Sequence, residues 1–280
     1  MKLSYSERLS RIADVTVIPT RIRSVIGPLF GKTLLSGSQS HMDIGTAQRL
    51  QFDLEHTTIR ELNQFLHHDL RLLARQRDSD LNIEITNPKG QHNIAVGVDF
   101  PVNIDILGDA GYFVAGMNQQ AHVIVHGNAG WSVAENIMSG SVRVKGCASE
   151  CVGASGHGGL VVVQGDVSSR CGISMKGCDI VVGGDCGHMS AFMAQAGRLV
   201  VCGDAGTNLG DSLYEAVIYV RGKIHSLGTD ARQETMSAQD IQELGTLLEQ
   251  AGFNYAPQEF KRVASAKTLY HWHVDAGAHY

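Results

Sequence analysis

The sequence has few aromatic residues, few prolines and no long uncharged apolar run. Phe, Trp and Tyr make up 6% of the 280 residues, and there are 5 prolines. The partly apolar residues 11–30 are interrupted by Arg21 and Arg23, so they are too charged for a secretory signal and too short for a membrane span. A net charge of −5 argues against nucleic acid and anionic membranes as partners.

All six cysteines lie at varied positions within one part of the chain: Cys147, Cys151, Cys171, Cys178, Cys186 and Cys202. Without a secretory signal, we expect small buried thiols in a reducing cytoplasm and no disulfide framework. The spacing between Cys147 and Cys151 does not fit a zinc site, which needs four ligands.

Glycine, in contrast, is abundant, and seven of the 32 glycines mark a repeat with a constant period of 19 residues. These marker glycines are Gly108, Gly127, Gly146, Gly165, Gly184, Gly203 and Gly222. Fifteen and seventeen residues after each of the first six comes an aliphatic pair: Val123/Val125, Val142/Val144, Val161/Val163, Ile180/Val182, Leu199/Val201 and Ile218/Val220. A constant period of this length is typical of a solenoid, whose units bury their apolar faces only by stacking.

The spacing within each pair predicts one strand per repeat, because alternate residues of a strand face the same side. Strands stacked ~4.8 Å apart then form an all-β fold, a parallel β-helix with 19-residue rungs and short helical additions at both ends. Small residues recur seven and thirteen positions after the marker glycines, where we expect corners or a positive φ. The period excludes hexapeptide β-helices, calcium-binding nonapeptide repeats and leucine-rich repeats.

We divide the chain into four segments. Residues 1–45 are weakly patterned and form either a loose N-terminal extension or a stretch outside the native protein. Residues 46–80 form a strand–helix cap, residues 81–228 form the parallel β-helix, and residues 229–280 form a C-terminal helix and a docking tail.

Two helices are predicted outside the repeats. Thr58 and Glu61 have the spacing of a capping box, and an apolar stripe follows: Ile59, Leu62, Leu66, Leu70 and Leu73. The histidines of this helix, His67 and His68, are expected to be solvated. A second helix begins after Ser237 and ends at Gly252, with one apolar face: Ile241, Leu244, Leu247, Leu248 and Ala251. We expect this second helix to cover the far end of the coil.

An acidic or amide residue follows most of the marker glycines: Asp109, Asn128, Asp166, Asp185 and Asp204. This column is either a cation ladder or a set of Asx-type turns that bond to the local backbone. Cys147 and Lys223 occupy the same column and favour the second interpretation. We therefore predict no catalytic, cofactor-binding or metal-binding residue in this chain.

Three other patterns lack what their chemistry requires. His271 and His273 would share one face of a strand without further metal ligands. Residues 155–159 (SGHGG) offer no nucleophile with a base and an orienting group. The GDAG units resemble phosphate loops, yet no helix or lysine follows them as such a loop requires.

The chain resembles the GXGXG domain, the C-terminal right-handed β-helix of the glutamate synthase large subunit. The resemblance depends on the V-x-V-x-G strands and on residues 203–210 (GDAGTNLG), 108–111 (GDAG) and 127–130 (GNAG). Further segments are similar to the stand-alone β-helix subunit of N-methylglutamate synthase and its glutamate-synthase-like relatives: residues 58–63 (TIRELN), 92–97 (HNIAVG), 172–177 (GISMKG), 187–193 (GHMSAFM) and 269–271 (LYH).

This resemblance implies a non-catalytic structural subunit of a glutamate-synthase-like complex, with N-methylglutamate synthase as the best match. The implied partners are a class II glutamine-amidotransferase-like subunit and a glutamate-synthase-like subunit that binds FMN and an iron–sulfur cluster. Such a chain would hold no cofactor itself, because the family's catalytic cysteine and cofactor ligands lie in other domains.

Two alternatives remain open. The β-helix subunits of formylmethanofuran dehydrogenase and of the formyltransferase/hydrolase complex share the same coil. A free-standing β-helix that binds, for example, a saccharide would need an aromatic platform along the coil. The sequence does not favour such a platform, because the six aromatic residues of the repeats do not share one repeat position: Tyr112, Phe113, Trp131, Phe192, Tyr214 and Tyr219.

Overall fold

A computed structural model describes residues 49–74 and 81–267 of the chain. The predicted extension 1–45 and the tail from residue 268, with His271 and His273, lie outside the described residues. The strands are β1 Arg49–Asp53, β2 Asn82–Thr86, β3 Asn103–Leu107, β4 His122–Val125, β5 Ser141–Val144, β6 Leu160–Val163, β7 Lys176–Val182, β8 Ala196–Val201, β9 Val217–Val220, β10 Ala231–Glu234 and β11 Lys261–Ser265. The helices are α1 Ile59–Gln64, a π-helical turn Phe65–Leu70, α2 Arg71–Ala74, α3 Ala238–Ala251 and a 3-10 turn Pro257–Glu259.

The strands from β1 to β9 stack in chain order, and each pairs in parallel with the next. The register aligns equivalent positions of successive rungs, so that Val123 pairs with Val142 and Val142 with Val161. All twelve predicted aliphatic side chains are 0% exposed. This confirms the β-solenoid with rungs of about 19 residues, in which each fully buried aliphatic side chain contributes ~1.5–3 kcal/mol.

The turn segment of each rung alternates between left-handed and right-handed backbone. The residues five, seven and nine positions after each of the first six marker glycines all have a positive φ, for example Phe113 (58°), Ala115 (53°) and Met117 (55°). The N–H groups of the fifth and ninth positions point to the next rung, whereas that of the seventh position points to the preceding rung. The Phe113 N–H donates to the Trp131 carbonyl at 2.9 Å, whereas the Ala134 N–H donates back to the Val114 carbonyl at 3.0 Å.

The side chain at the seventh position points into the coil, which explains why it is small. Ala115, Ala134 and Ala191 are 0% exposed, and a Cβ at Gly153 would lie 2.6 Å from Cδ1 of Ile180. The φ angles at this position are all positive, which confirms the expected positive φ. The fifth and ninth positions tolerate larger residues, because Phe113 and Met117 point outward and stay exposed.

Side chains of the predicted N-terminal cap supply hydrogen bonds that a preceding rung would otherwise provide to the first rung. The capping box of Thr58 and Glu61 is present, and α1 follows it. The Asn63 amide accepts the Ala95 N–H at 3.1 Å and donates to the Asn93 carbonyl at 2.8 Å. The prediction that His67 is solvated is wrong, since it is half-buried with Nε2 2.7 Å from the Val96 carbonyl, whereas His68 is exposed.

The repeat stops after Gly228, as predicted, and an antiparallel hairpin-like pair then ends the stack. Strand β11 pairs antiparallel with both β9 and β10. Neither β10 nor β11 is predicted from the sequence, because these short segments, such as ARQE in β10, lack a clear apolar alternation. Within the described residues, the helices are too short or too polar to cross a lipid bilayer.

Helix α3 lies along the side of the coil, so the prediction that it covers the far end is wrong. It begins with the predicted cap at Ser237 and ends at Gly252, whose φ is 87°. Its apolar face packs on outward side chains of four successive rungs: Val162, Val181, Val200 and Tyr219. Apolar residues at these outward positions would otherwise face water, and this explains the location of the helix.

Both ends of α3 are tied to the coil. At its start, the Tyr219 hydroxyl donates to Oδ1 of Asp240 at 2.9 Å. At its end, Arg143 donates to the Gln250 carbonyl at 2.6 Å and to the Ala251 carbonyl at 3.1 Å. Four rung spacings of ~4.8 Å separate Arg143 from Tyr219, and 14 residues at ~1.5 Å each make the helix long enough to span them.

The Arg143 tie gives a testable prediction. Arg143→Ala removes two charge-assisted hydrogen bonds from the helix C-terminus and should lower the free energy of unfolding by about 1–2 kcal/mol. Amides of residues 247–252 should exchange faster with deuterium, and Arg143→Lys should give an intermediate rate. The neighbouring exposed cation provides the control, Lys145→Ala. Equal exchange rates in all the variants would show that Arg143 does not hold the helix.

Candidate functional surface

The column of residues after the marker glycines forms a ladder of hydrogen bonds between rungs. In each case the side chain accepts the N–H of the equivalent residue in the next rung. Oδ1 of Asp109 lies 2.7 Å from the backbone nitrogen of Asn128, and Oδ1 of Asp166 lies 2.8 Å from the backbone nitrogen of Asp185. The other members are Asn128 to Cys147 at 2.9 Å, Cys147 to Asp166 at 3.4 Å, Asp185 to Asp204 at 2.6 Å and Asp204 to Lys223 at 2.7 Å.

This ladder favours one of the two interpretations of the column. The Asx side chains bond to backbone, which supports the structural interpretation, although their donors lie one rung away and not in the local turn. Cys147 fits the column because its Sγ also accepts an N–H. Within the described residues, the carboxylates of Asp166, Asp185 and Asp204 do not converge on a shared cation position.

The same ladder explains the marker glycines. A Cβ at Gly184 would collide with Oδ1 of Asp166, and a Cβ at Gly165 would lie 2.7 Å from Sγ of Cys147. Equivalent collisions with the ladder side chain of the preceding rung occur at Gly127, Gly146, Gly203 and Gly222. The glycines are therefore required by the close approach of neighbouring rungs, and not by a positive φ, which only Gly108 among them adopts.

The cysteines are free thiols with two different environments. Cys171, Cys178, Cys186 and Cys202 are buried, as predicted. Burial raises the pKa of Cys178 and Cys202 to about 12, and it also raises the pKa of Cys171 and Cys186. Such thiols stay protonated at neutral pH and are poor nucleophiles. The expectation of burial is wrong for Cys147, which is exposed, and holds only in part for Cys151.

One group of three potential metal ligands occurs within residues 49–74 and 81–267, namely Asp53, Glu55 and His56. Each of its carboxylates already has a partner. Asp53 accepts hydrogen bonds from Asn87 and from the Glu55 N–H, both at 2.9 Å, and these bonds lower the pKa of the Asp53 carboxyl. Glu55 forms an ion pair with Lys89. The ring of His157, from the glycine-rich run 155–159, is exposed on a coil turn.

An aromatic stack lies on the outside of the first rungs. The rings of Tyr112 and Trp131 are stacked with centroids 5.3 Å apart, and the ring of His92 stacks on Tyr112 at 4.3 Å. Tyr112 and Trp131 are 19 residues apart and occupy the same repeat position, although the six aromatic residues together do not share one. The other four aromatic residues considered lie elsewhere in the repeat.

The ladder predicts opposite effects of two substitutions. Asp185→Ala removes the acceptor of the Asp204 N–H and should lower the free energy of unfolding by about 1 kcal/mol. Cys147→Asn replaces a weak sulfur acceptor with an amide oxygen and should raise it. Urea denaturation of both variants measures these changes, with Cys147→Ala as the control for loss of the sulfur alone. A Cys147→Asn protein no more stable than Cys147→Ala would contradict the ladder.

The steric role of the glycines is tested by a double-mutant cycle. Gly184→Ala should destabilise the protein, because its Cβ would collide with Asp166. In the Asp166→Ala background, the added methyl should cost less by at least about 1 kcal/mol, since the colliding carboxylate is gone. Additive effects of the two substitutions would mean that Asp166 does not select glycine at position 184.

The comparisons with known proteins agree with this architecture. Residues 72–273 match a family described as "GXGXG motif". The chain is 52% identical over 224 residues to "Protein GlxC" of Rhizobium meliloti (strain 1021), which covers 80% of this chain and 96% of that protein. The family match spans the coil with its marker glycines, the ladder and helix α3. The chain therefore belongs to the GXGXG motif family.

Proposed function

We propose that this chain is a structural, non-catalytic subunit of a glutamate-synthase-like complex. The observation that carries the proposal is that the conspicuous polar side chains of the repeats maintain the coil. The ladder residues bond to backbone of the next rung, and the buried thiols have raised pKa values. Membership of the GXGXG motif family and the resemblance to the glutamate synthase β-helix point to the type of complex.

The coil is suited to hold other subunits at fixed positions. Each rung is bonded to the next along the strand, at the ladder and through the turn segment. A coil that is bonded in this way is stiff, because bending it would break several hydrogen bonds per rung. Fixed positions matter in a multi-subunit enzyme, since small misplacements of reacting groups lower the rate strongly.

The finer assignment is N-methylglutamate synthase, which converts glutamate and methylamine to N-methylglutamate and ammonia. Its motif-level support is the similarity of five segments, among them residues 58–63 and 187–193, to the stand-alone β-helix chain of that enzyme. In the assembly that we propose, an amidotransferase-like subunit and a subunit with FMN and an iron–sulfur cluster carry the chemistry. This chain would position both and bind neither cofactor.

The proposal predicts a clear division of labour. The tagged chain, co-expressed with candidate amidotransferase-like and flavin-binding subunits from the same genome, should purify as a complex that forms N-methylglutamate from glutamate and methylamine. Omission of the chain should lower turnover by on the order of 100-fold, the cost of misplaced reacting groups. Mass spectrometry of the product and native mass spectrometry of the complex provide the measurements.

Controls identify each part of the proposal. The chain purified alone should show no flavin absorbance and no turnover, and either signal would contradict a non-catalytic role. Glutamate formed from glutamine and 2-oxoglutarate, without reaction of methylamine, would keep the structural role and exclude the finer assignment. Co-purification with a zinc amidohydrolase-type subunit would instead place the chain in a one-carbon formyl-transfer complex.

A further inference from the structure

The exposed large apolar side chains are concentrated on the first two regular rungs. Four of them lie in the turn segments of these rungs and Met138 follows the second turn segment; together we call them the apolar patch: Tyr112, Phe113, Met117, Trp131 and Met138. Each is between 41% and 51% exposed. Water-exposed apolar groups in such a cluster mark interaction sites more often than the same number of scattered residues.

Backbone and ring contacts connect the members of the patch. Tyr112 stacks on Trp131, and the Phe113 N–H donates to the Trp131 carbonyl at 2.9 Å. The Met138 N–H donates to the carbonyl of Asn118, the residue after Met117, at 2.8 Å. These contacts join Tyr112 and Phe113 to Trp131 and place Met138 beside the residue that follows Met117, so that rung-to-rung bonds fix the members of the patch in register.

The stretch of sequence that forms the patch is acidic, although Arg71 pairs with Asp99 at 2.9 Å and Arg170 lies near Cys151, the residue after Glu150. Residues 90–142 contain neither lysine nor arginine, while they include four acidic residues: Asp99, Asp105, Asp109 and Glu135. The repeat position of Tyr112 and Trp131 is occupied in the next rung by Glu150. Glu135 and Glu150 form no ion pair with any described residue. The border of the patch thus favours a partner with positive charge.

The ring geometry disfavours a flat ligand as the main occupant. Saccharides and nucleobases bind on the open faces of aromatic rings. Here the rings of His92 and Trp131 stack on Tyr112 from either side, with interplanar angles of 20° and 16°, so that Tyr112 has no open face and a flat ligand is left only the ends of the stack. Exposed edges of Trp and Tyr beside methionines are typical of the centre of a protein–protein interface.

We infer that the apolar patch is a docking surface for another protein subunit, which presents apolar side chains bordered by lysine or arginine. This inference rests on the proposed function, because it names a surface by which the structural subunit holds a partner. A second copy of this chain fits less well, since an isologous contact would bring Glu135 and Glu150 close to the same acidic groups of the other copy. The partner's basic border would also make association faster at low ionic strength.

Substitutions within the patch test this inference in the assembled complex. Trp131→Ser and Met117→Ser, singly and together, should weaken binding of one partner subunit by at least about tenfold. Leu72→Ser is the matched control, because Leu72 is 42% exposed but lies on α2, outside the patch. Circular dichroism and the thermal midpoint of each isolated variant check that the coil is intact.

Charge reversals test the sign of the border. Glu135→Lys and Glu150→Lys should weaken binding further, and the loss should shrink at high salt because exposed charges are then screened. Glu249→Lys reverses an exposed acidic residue on α3 and should have no effect. Partner binding that is unchanged by the patch variants and by the charge reversals would overturn the inference.

Trp131 also reports its own environment. The chain has two tryptophans, Trp131 and Trp272, so Trp272→Phe leaves Trp131 as the single emitter. Its emission should shift to shorter wavelength when the partner subunit binds. Two results would overturn the inference: a dimer of the isolated chain that Trp131→Ser abolishes, or a shift of Trp131 to longer wavelength when residues 268–280 are removed, which would mean that the chain's own tail covers the patch.

These outcomes are separable from failure of the proposed function. If the wild-type chain recruits no glutamate-synthase-like subunit, the proposed function fails. If the wild-type complex assembles and the patch variants assemble equally well, the complex exists and only the docking surface is wrong.

Discussion

The rest of the structure depends on the hydrogen bonds between successive rungs, which require the same register at every repeat. Strand pairs, the Asx ladder and the alternating turn segment all join a residue to its equivalent or to a near neighbour one rung away. An insertion in one rung would disrupt all three sets of hydrogen bonds at once, which accounts for the constant period from Gly108 to Gly222. The marker glycines follow from the same constraint, because neighbouring rungs approach too closely there for a side chain.

The ends of the coil must satisfy the hydrogen-bonding groups that have no further rung. At the first rung, the Asn63 amide takes the place of a peptide unit. After the last rung, the antiparallel pairing of β11 with β9 stops the parallel stack. Helix α3 then covers apolar side chains on one face of the later rungs, whereas the apolar patch of the first two rungs stays open. The coil therefore has one covered flank and one surface that remains available for binding.

The sequence predicts those features that repeat with a fixed period, because each rung confirms the others. The marker glycines, the twelve inward aliphatic residues and the small seventh position belong to this class. Features that occur once are harder to predict: the location of α3 depends on Val162, Val181, Val200 and Tyr219, which are recognisable as an outward apolar column only after the strands are aligned. His67 finds its acceptor at Val96, 29 residues away. The stacking of Tyr112 on Trp131 can be predicted from their 19-residue spacing. The contact of His92 with Tyr112 cannot, because His92 lies in the irregular rung before the repeats, where the 19-residue period does not apply.

We propose that this chain positions catalytic subunits without taking part in the chemistry. Electron cryomicroscopy of the assembled complex with substrate bound is the direct test of this role. We expect the flavin, the iron–sulfur cluster and the reacting atoms to contact only residues of the other subunits, and the coil to keep its rung-to-rung bonds unchanged. A side chain of the coil in contact with a cofactor or with a reacting atom would contradict it.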